Sequence, residues 1–288
     1  MTLAIPVLGI DGGGSGCRAA LWRDGAVIGT GQAGPANLTS DFEGGVANIL
    51  AAVARAAEAA GLDPQALRAA VAHAGLAGVQ SAEMARGVAA RLPFRCRVTE
   101  DRDIAIAGAL GPGGDGAVLA IGTGSFVGLR RAGKIRAVGG WGLQLSDVAS
   151  AAWLGRAALS ATLEAVDGMR AQTGLGRALL DRFGAPPGIV AFAARATPAE
   201  YGALAPLVTG AAERGDAMGA ALLAEGAAWC ERALAALGHR DEAICLIGGL
   251  GPAYRAALDR PGRRFADPRG TPLDGALILA RRFAEEGA

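Results

Sequence analysis

The feature that most narrows the possible folds is an internal repeat. Val7 to Gly31 reads "VLGIDGGGSGCRAALWRDGAVIGTG": an apolar run, a glycine turn containing a serine, a run with basic residues, a tight Asp-Gly turn and a third extended run. Leu119 to Gly140, "LAIGTGSFVGLRRAGKIRAVGG", repeats that order. Short apolar runs punctuated by Gly and Asp predict a three-strand meander in each place. Self-similarity on this scale predicts two related halves. The first strand ends Ile10-Asp11-Gly12 and its copy Ile121-Gly122-Thr123, so only one half carries a carboxylate there. That asymmetry implies a shared ligand with one metal-facing side.

Between the copies the spacing predicts a helix over Phe42–Gly61 closed by Gly61, and a strand over Leu67–Gly78 ending in a glycine turn. A helix opening at Ser81, a strand over Cys96–Asp101 and a helical "IAIAGAL" follow. After the second meander, helices are expected at roughly Val148–Ala165, Gly174–Phe183 and Glu213–Leu237. A strand "AICLIGGLG" and a last helix from about Asp274 to Glu286 complete the chain. "GPGGDG", Gly111 to Gly116, is the best hinge, because so many glycines suit neither a helix nor a central strand.

Composition removes several classes of function. With 28 Lys+Arg against 27 Asp+Glu, no field forms that would gather nucleic acid or an anionic membrane. The Ala-rich runs are broken by charges such as Arg55 and Glu58, well short of a membrane span. "MTLAIPVLGID" has no basic n-region, so a cytoplasmic protein without a cleavable signal is expected. The four cysteines form no CxxC pair, and His73 and His239 are the only histidines. Zinc, iron–sulfur and Ser-His-Asp chemistry therefore lack a supporting motif.

Three glycine turns end apolar strands: "DGGGSG", "IGTGS" and "IGGLG". Without a Cβ, each can bring backbone N–H groups close to phosphate oxygens. One such turn is ordinary hairpin chemistry; three at strand ends, two of them related by the repeat, point to a phosphate ligand. None is a GxxxxGK[ST] loop or a complete GxGxxG opening a helix.

These motifs resemble the sugar-kinase, hsp70 and actin superfamily of ATPases, and within it the N-acetylglucosamine kinase and BadF/BadG/BcrA/BcrD-type ATPase group. "LGIDGGGSGCRAAL" is similar to the first phosphate motif, "LAIGTGS" to the second, "CLIGGLG" to the adenosine motif, and "TPLDGALILA" to the late interdomain helix. The resemblance covers essentially the whole chain. It implies an α/β fold of duplicated ribonuclease H-like (actin-like ATPase) domains, with mixed five-stranded sheets flanked by helices and an active-site cleft between them. The domains would be 1–110, joined by the helix at 273–288, and 111–272. ATP and Mg2+ are the implied cofactors, with closure around a sugar.

By that resemblance Asp11 holds Mg2+ and its waters, and Gly12, Gly13, Gly14 and Ser15 leave room for the β- and γ-phosphates. Gly122, Thr123, Gly124 and Ser125 support the phosphates from the other half, and Gly248, Gly249 and Gly251 lie against adenosine. Transfer to a hydroxyl also needs a carboxylate to orient the alcohol and take its proton. In "VTEDRDIAIAGAL" the resemblance sets Asp101 in that role and against the sugar. Glu100 and Asp103 are neighbouring alternatives, and a solvated strand end before a helix that favours acids is the plainer reading. "GPANL" resembles a "GGPxN" turn, making Asn37 a sugar contact instead of merely a turn residue. "GGWGLQLSDVASAAWLG" resembles "GGWGxxxGDEGSxxW". It places Asp147 and Ser150 at the sugar pocket wall and Trp141 and Trp153 in packing roles, with Ser146, Val148 and Ala149 replacing Gly, Glu and Gly. His73, in "HAGLAG", reads as a core or supporting histidine before a ligand.

The implied activity is an ATP-dependent amino-sugar kinase acting on the C6 hydroxyl of glucosamine or N-acetylglucosamine. Its partners would be the sugar, ATP and a second copy in a homodimer, with neither nucleic acid nor membrane. An ATP-driven activator of a radical dehydratase or reductase is the alternative from another class. A nucleotide-binding regulator without sugar chemistry is the third.

Overall fold

Strand β1 (Val7–Gly12) is buried along its whole length, as a run apolar on both faces must be when it forms the centre of a sheet. The computed structural model describes residues 6–63 and 65–286. After β1 come β2 (Cys17–Arg23), β3 (Ala26–Ala33), α1 (Phe42–Ala59), β4 (Val71–Leu76), α2 (Ala82–Arg91), β5 (Arg95–Glu100) and α3 (Asp101–Leu110). The second meander is β6 (Gly116–Ile121), β7 (Ser125–Arg131) and β8 (Lys134–Gly139). Six helices follow: α4 (Ala151–Val166), α5 (Gly174–Phe183), α6 (Pro186–Ala193), α7 (Pro198–Gly202), α8 (Ala205–Glu213) and α9 (Ala217–Ala236). The chain ends with β9 (Ile244–Ile247), α10 (Gly251–Leu258), β10 (Phe265–Ala266) and α11 (Pro272–Glu285).

Two compact units result. The described residues up to Gly114, with those from Asp267 onward, form the first; Asp115–Ala266 form the second. In the first unit the strand order is β3-β2-β1-β4-β5. β2 runs antiparallel and β4 parallel to β1. Alternation sends Leu8 and Ile10 into the core beneath α1, with Ile49 and Val53, and Val7, Gly9 and Asp11 to the opposite face. There α11 lies close, since a Cβ on Gly9 would stand 2.9 Å from Leu277. The second unit repeats the order as β8-β7-β6-β9-β10, with β7 antiparallel and β9 parallel to β6. The two five-stranded mixed sheets implied by the family resemblance are thus present. Among the described residues no helix is long and apolar enough to cross a membrane.

The structure departs from the sequence expectation in four places. The stretch expected as one strand from Leu67 begins as a 3-10 turn, Ala66–Ala69, and only Val71–Leu76 extends. The expected helix over Glu213–Leu237 is present but begins only at Ala217: α8 ends at Glu213, Gly215 takes a positive φ of 83°, and the Asp216 carboxylate caps α9 through the Met218 and Gly219 amides. α6, α7 and α8 fill a region the periodicity left unassigned, each with a proline in its first turn, where the missing N–H costs nothing. The unit boundaries fall after Gly114 and before Asp267 instead of at 110 and 272. The Arg269 amide donates to Ala109 O at 2.9 Å and its side chain covers Gly111, which ties both connectors to the first unit.

Candidate active site

In the first unit, the parallel strands β1, β4 and β5 end in register: Gly12 pairs with Leu76 and Leu76 with Glu100. That carboxyl edge is where α/β sheets collect ligands, and most of the residues expected on this half lie there. Asp11, 8% exposed, sits one residue before the β1–β2 turn. Arg18, its cross-strand partner, donates from Nη2 to Asp11 Oδ2 at 2.5 Å. Gly12 has no room for a side chain, because a Cβ would meet Leu76 at 2.6 Å. The Gly13 amide donates to Gly16 O at 2.9 Å, while Gly14 and Ser15 form an exposed tip. A side chain on Gly14 would meet nothing within 4 Å. Backbone amides at such a tip are accessible to an anion.

Asp101 is the first residue of α3, directly after β5. Burial pushes its carboxyl above the ordinary aspartate range. The Arg102 amide and guanidinium pull it back, and the charges of Asp11 and Glu100 push it further up. The two neighbouring acids are engaged elsewhere. Glu100 Oε2 accepts from Arg102 Nε at 2.6 Å; the Asp103 carboxyl, raised chiefly by burial, is drawn down by the Thr99 hydroxyl. Among the described residues no other side chain is hydrogen-bonded to or ion-paired with the Asp101 carboxylate, which accepts from the Arg102 amide alone, and this separates it from both. Asn37 takes up an Asx turn: its Oδ1 accepts from the Thr39 amide at 3.0 Å and the Ser40 amide at 3.3 Å. The Leu38 amide donates to Ala77 O at 3.0 Å, which fixes this loop to the turn after β4. The Asn37 Nδ2 group has no hydrogen-bond partner among the described residues. His73 is buried and bonded to Thr99, a core position.

In the second unit the other two glycine turns meet. A Cβ on Gly248, φ 90°, would stand 2.9 Å from Gly122 N, and the Leu250 amide donates to Ile121 O at 3.1 Å. The Gly251 amide donates to Gly248 O at 3.2 Å as α10 begins, while a side chain on Gly249 or Gly122 would meet nothing. The Gly122–Ser125 turn is clamped onto the start of α4. Ala151 and Ala152 amides donate to Gly122 O at 2.8 Å and Thr123 O at 3.3 Å, and Ser125 Oγ donates to Val148 O at 2.7 Å.

Asp147, 7% exposed, belongs to that clamp. Its carboxylate accepts from the Gly142 amide at 3.2 Å and from the Ser125 amide, and burial pushes it above its ordinary range. It lies so close over Gly124 that a Cβ there would be 2.9 Å from Oδ2. Asp147 and Ala149 both adopt positive φ, 57° and 75°; the second is a strained conformation for alanine. Ser150 caps α4 through the Trp153 amide at 3.0 Å, and Trp153 is buried as expected. Trp141 is not: it is 68% exposed, as is Leu145 at 85%. The positive-φ glycines Gly139, Gly140 and Gly142 turn that segment outward, so the packing role expected for Trp141 is overturned.

Arg18 is the site residue that motif matching passed over. Its signal was present in period-two pairing across the glycine turn, which sets a cation opposite Asp11. Among the described residues no group of three or more His, Cys, Asp or Glu side chains could hold a metal ion.

Duplicated five-stranded sheets with the same strand order, each presenting glycine turns at the ends of central strands, define an ATPase of the ribonuclease H-like class. The chain belongs to the BadF/BadG/BcrA/BcrD ATPase family, whose model matches residues 8–259. It is 32% identical to the glucosamine kinase GspK of Vibrio cholerae over 279 residues, covering 95% of each chain. A solved candidate N-acetylglucosamine kinase from Chromobacterium violaceum is 34% identical, with TM-score 0.82 over 96% of this chain and 99% of that one. A ROK family glucokinase from Streptomyces griseus, solved with glucose and AMPPNP, shares the fold at TM-score 0.55 and 20% identity, covering 96% of this chain and 98% of that one.

Proposed function

We propose that this protein is an ATP-dependent amino-sugar kinase that phosphorylates the C6 hydroxyl of glucosamine, with N-acetylglucosamine as the alternative acceptor. Similarity along the whole chain to a glucosamine kinase supports the substrate class. The observation that carries the chemistry is the Asp101 carboxyl, raised by burial, with no other side chain bonded to it among the described residues, and within electrostatic reach of Asp11. A general base works best when its pKa approaches the working pH, so burial tunes Asp101 in the useful direction. Asp101 orients the acceptor alcohol and takes its proton as the bond to phosphorus forms and the bond to the leaving ADP breaks. The Gly12–Ser15 and Gly122–Ser125 turns supply amide donors to the phosphates, Gly248–Gly251 borders the adenosine, and Asn37 Nδ2 and the Asp147 segment border the sugar.

The residues fit a magnesium ion. Mg2+ keeps several waters and needs only one or two carboxylates beside the phosphates, and Asp11 at the glycine turn, whose Oδ2 is held by Arg18, offers Oδ1. When bound, the ion would draw charge from the β- and γ-phosphate oxygens.

A cluster-binding activator is disfavoured by the cysteines. Cys17, Cys230 and Cys245 are buried, and burial pushes the Cys17, Cys96 and Cys230 thiols up to about 12, where thiolate ligands do not form readily.

The test is ADP release with ATP and magnesium over glucosamine, N-acetylglucosamine, N-acetylmannosamine, glucose and anhydro-muramic acid, with iron content measured on the same preparation. Turnover dependent on one of the two glucosamines is expected. Release independent of every sugar, in protein that carries iron, would overturn the assignment.

A further inference from the structure

We infer that His73 and Thr99 are positioning residues for Asp101, acting through the peptide that joins β5 to α3. The inference rests on the reading of Asp101 as the base. His73 lies in the middle of β4 between Gly9 of β1 and Arg97 of β5. It is 3% exposed, on the face covered by α3 and α11. Its Nε2 is 3.1 Å from Thr99 Oγ1, and Thr99 Oγ1 donates to Glu100 O at 3.1 Å.

Only one ring tautomer satisfies this chain. The Thr99 hydroxyl has a single hydrogen, directed to the Glu100 carbonyl or to the neighbouring Asp103 carboxylate, so in either case its oxygen accepts from the ring. Burial, and then the Arg97 charge, lower the His73 pKa to about 4, so the imidazole is neutral and carries one N–H, at Nε2. Nδ1 is then a bare acceptor, which agrees with its lack of a partner among the described residues.

The destination of the chain gives it meaning. Glu100 is the N-cap residue of α3 and makes no side-chain cap bond; its side chain is turned to Arg102 instead. The corner that a Ser or Asp cap normally fixes is held from behind by the Thr99 hydroxyl. Asp101 is the next residue, so rotation of the Glu100–Asp101 peptide swings its carboxylate. A purely structural role explains the histidine poorly, because an apolar side chain of similar size would fill the space without leaving a buried nitrogen unpaired.

The test compares T99V, T99S and H73L with the parent enzyme, using ATP, magnesium and the acceptor sugar. T99V and H73L are expected to lower kcat by roughly tenfold, as misplaced catalytic groups do, with the KM for ATP unchanged and Tm equal to or above the parent's. T99S, which keeps the hydroxyl, should retain parental kcat. A parental kcat in T99V, a kcat that falls only in step with Tm, or T99S failing as far as T99V would each overturn the inference. A crystal structure of T99V adds a readout independent of turnover: an unmoved Asp101 carboxylate also overturns it. Asp101→Asn measured alongside keeps the two ideas apart. Activity in D101N defeats the base assignment, whereas inactive D101N beside fully active T99V and H73L defeats only this inference.

Discussion

Gly275→Ala is the most demanding test of how the catalytic edge is held. α11 crosses α3 backbone to backbone. A Cβ on Gly275 would stand 2.5 Å from Gly108 N and closer still to the Ile104 carbonyl oxygen. Non-bonded atoms of this kind settle near 3.5 Å, so the helices must part by about 1 Å. Both contacts are main chain in regular helix, so no side chain can swing away. Overpacking of this sort costs about 1–3 kcal/mol, and the rigid surroundings place it at the upper end. For a protein of this size each kcal/mol lowers Tm by roughly 2–4 °C, so a fall of about 6–12 °C is expected by calorimetry. The kinetic effect is larger, because Asp101 is the first residue of the displaced helix, and a 1 Å error in a catalytic group costs about 100-fold. Gly87, in the exposed face of α2 with nothing near its missing Cβ, is the control: G87A should stabilise by about 0.5–1 kcal/mol through helix propensity. G275A with parental Tm and parental sugar-dependent ADP release would refute the packing account.

Asp101→Asn should abolish sugar-dependent ADP release and leave nucleotide affinity within a few-fold, measured by calorimetric titration. Because burial raises the folded-state pKa of Asp101, its contribution to stability is present below the unfolded pKa and lost as pH rises through the folded one. D101N should therefore melt no lower than the parent at neutral pH, and the acid limb of the parent's kcat profile should lie above an ordinary aspartate's range. Asp11→Ala should reduce Mg-ATP-dependent turnover with every accepted sugar, checked by whether added magnesium restores it. Asp147→Ala removes the acceptor of the Gly142 and Ser125 amides, so the KM for ATP should rise several-fold by initial-rate assay. A change confined to the KM for sugar would instead make Asp147 a sugar contact alone.

The parts of the fold written in local punctuation were legible in the sequence. Both meanders, the cap at Ser81 and the glycine turns follow from turn and capping chemistry that operates within a few residues. The helices between Gly184 and Glu213 were not, because α6 is nearly apolar throughout and α7 spans only five residues; neither shows an amphipathic period. β10, two residues long, is set by its pairing with β9 and carries no pattern of its own. At the site, residue types and order were readable, but engagement was not. "EDRD" offers three acids in four positions, and only the Arg102 and Thr99 partners distinguish Asp101 from Glu100 and Asp103. The outward turn of Trp141 depends on consecutive positive-φ glycines, and tryptophan beside glycine reads as core until backbone angles are known.

The first unit draws on both ends of the described chain, with the second unit lying between them in sequence. α11 packs on β1, β4 and α3, so the edge bearing Asp11 and Asp101 is complete only after a segment far along the chain has docked. Closing a disordered insertion of that length would add an entropic cost that grows with the logarithm of its size. The second unit's topology removes most of that cost. Its entry strand β6 and exit strand β10 flank β9, with Ala117 and Phe265 both paired to Ile244. Strands one removed from each other lie about 10 Å apart, so a folded second unit returns the chain close to where it left. The two residues of β10 are thereby explained: pairing just long enough to set the exit beside the entrance. Folding of the second unit therefore precedes α11 docking in cost, if in no other sense, and the position of Asp101 comes to depend on a sheet that contributes no strand to its own unit.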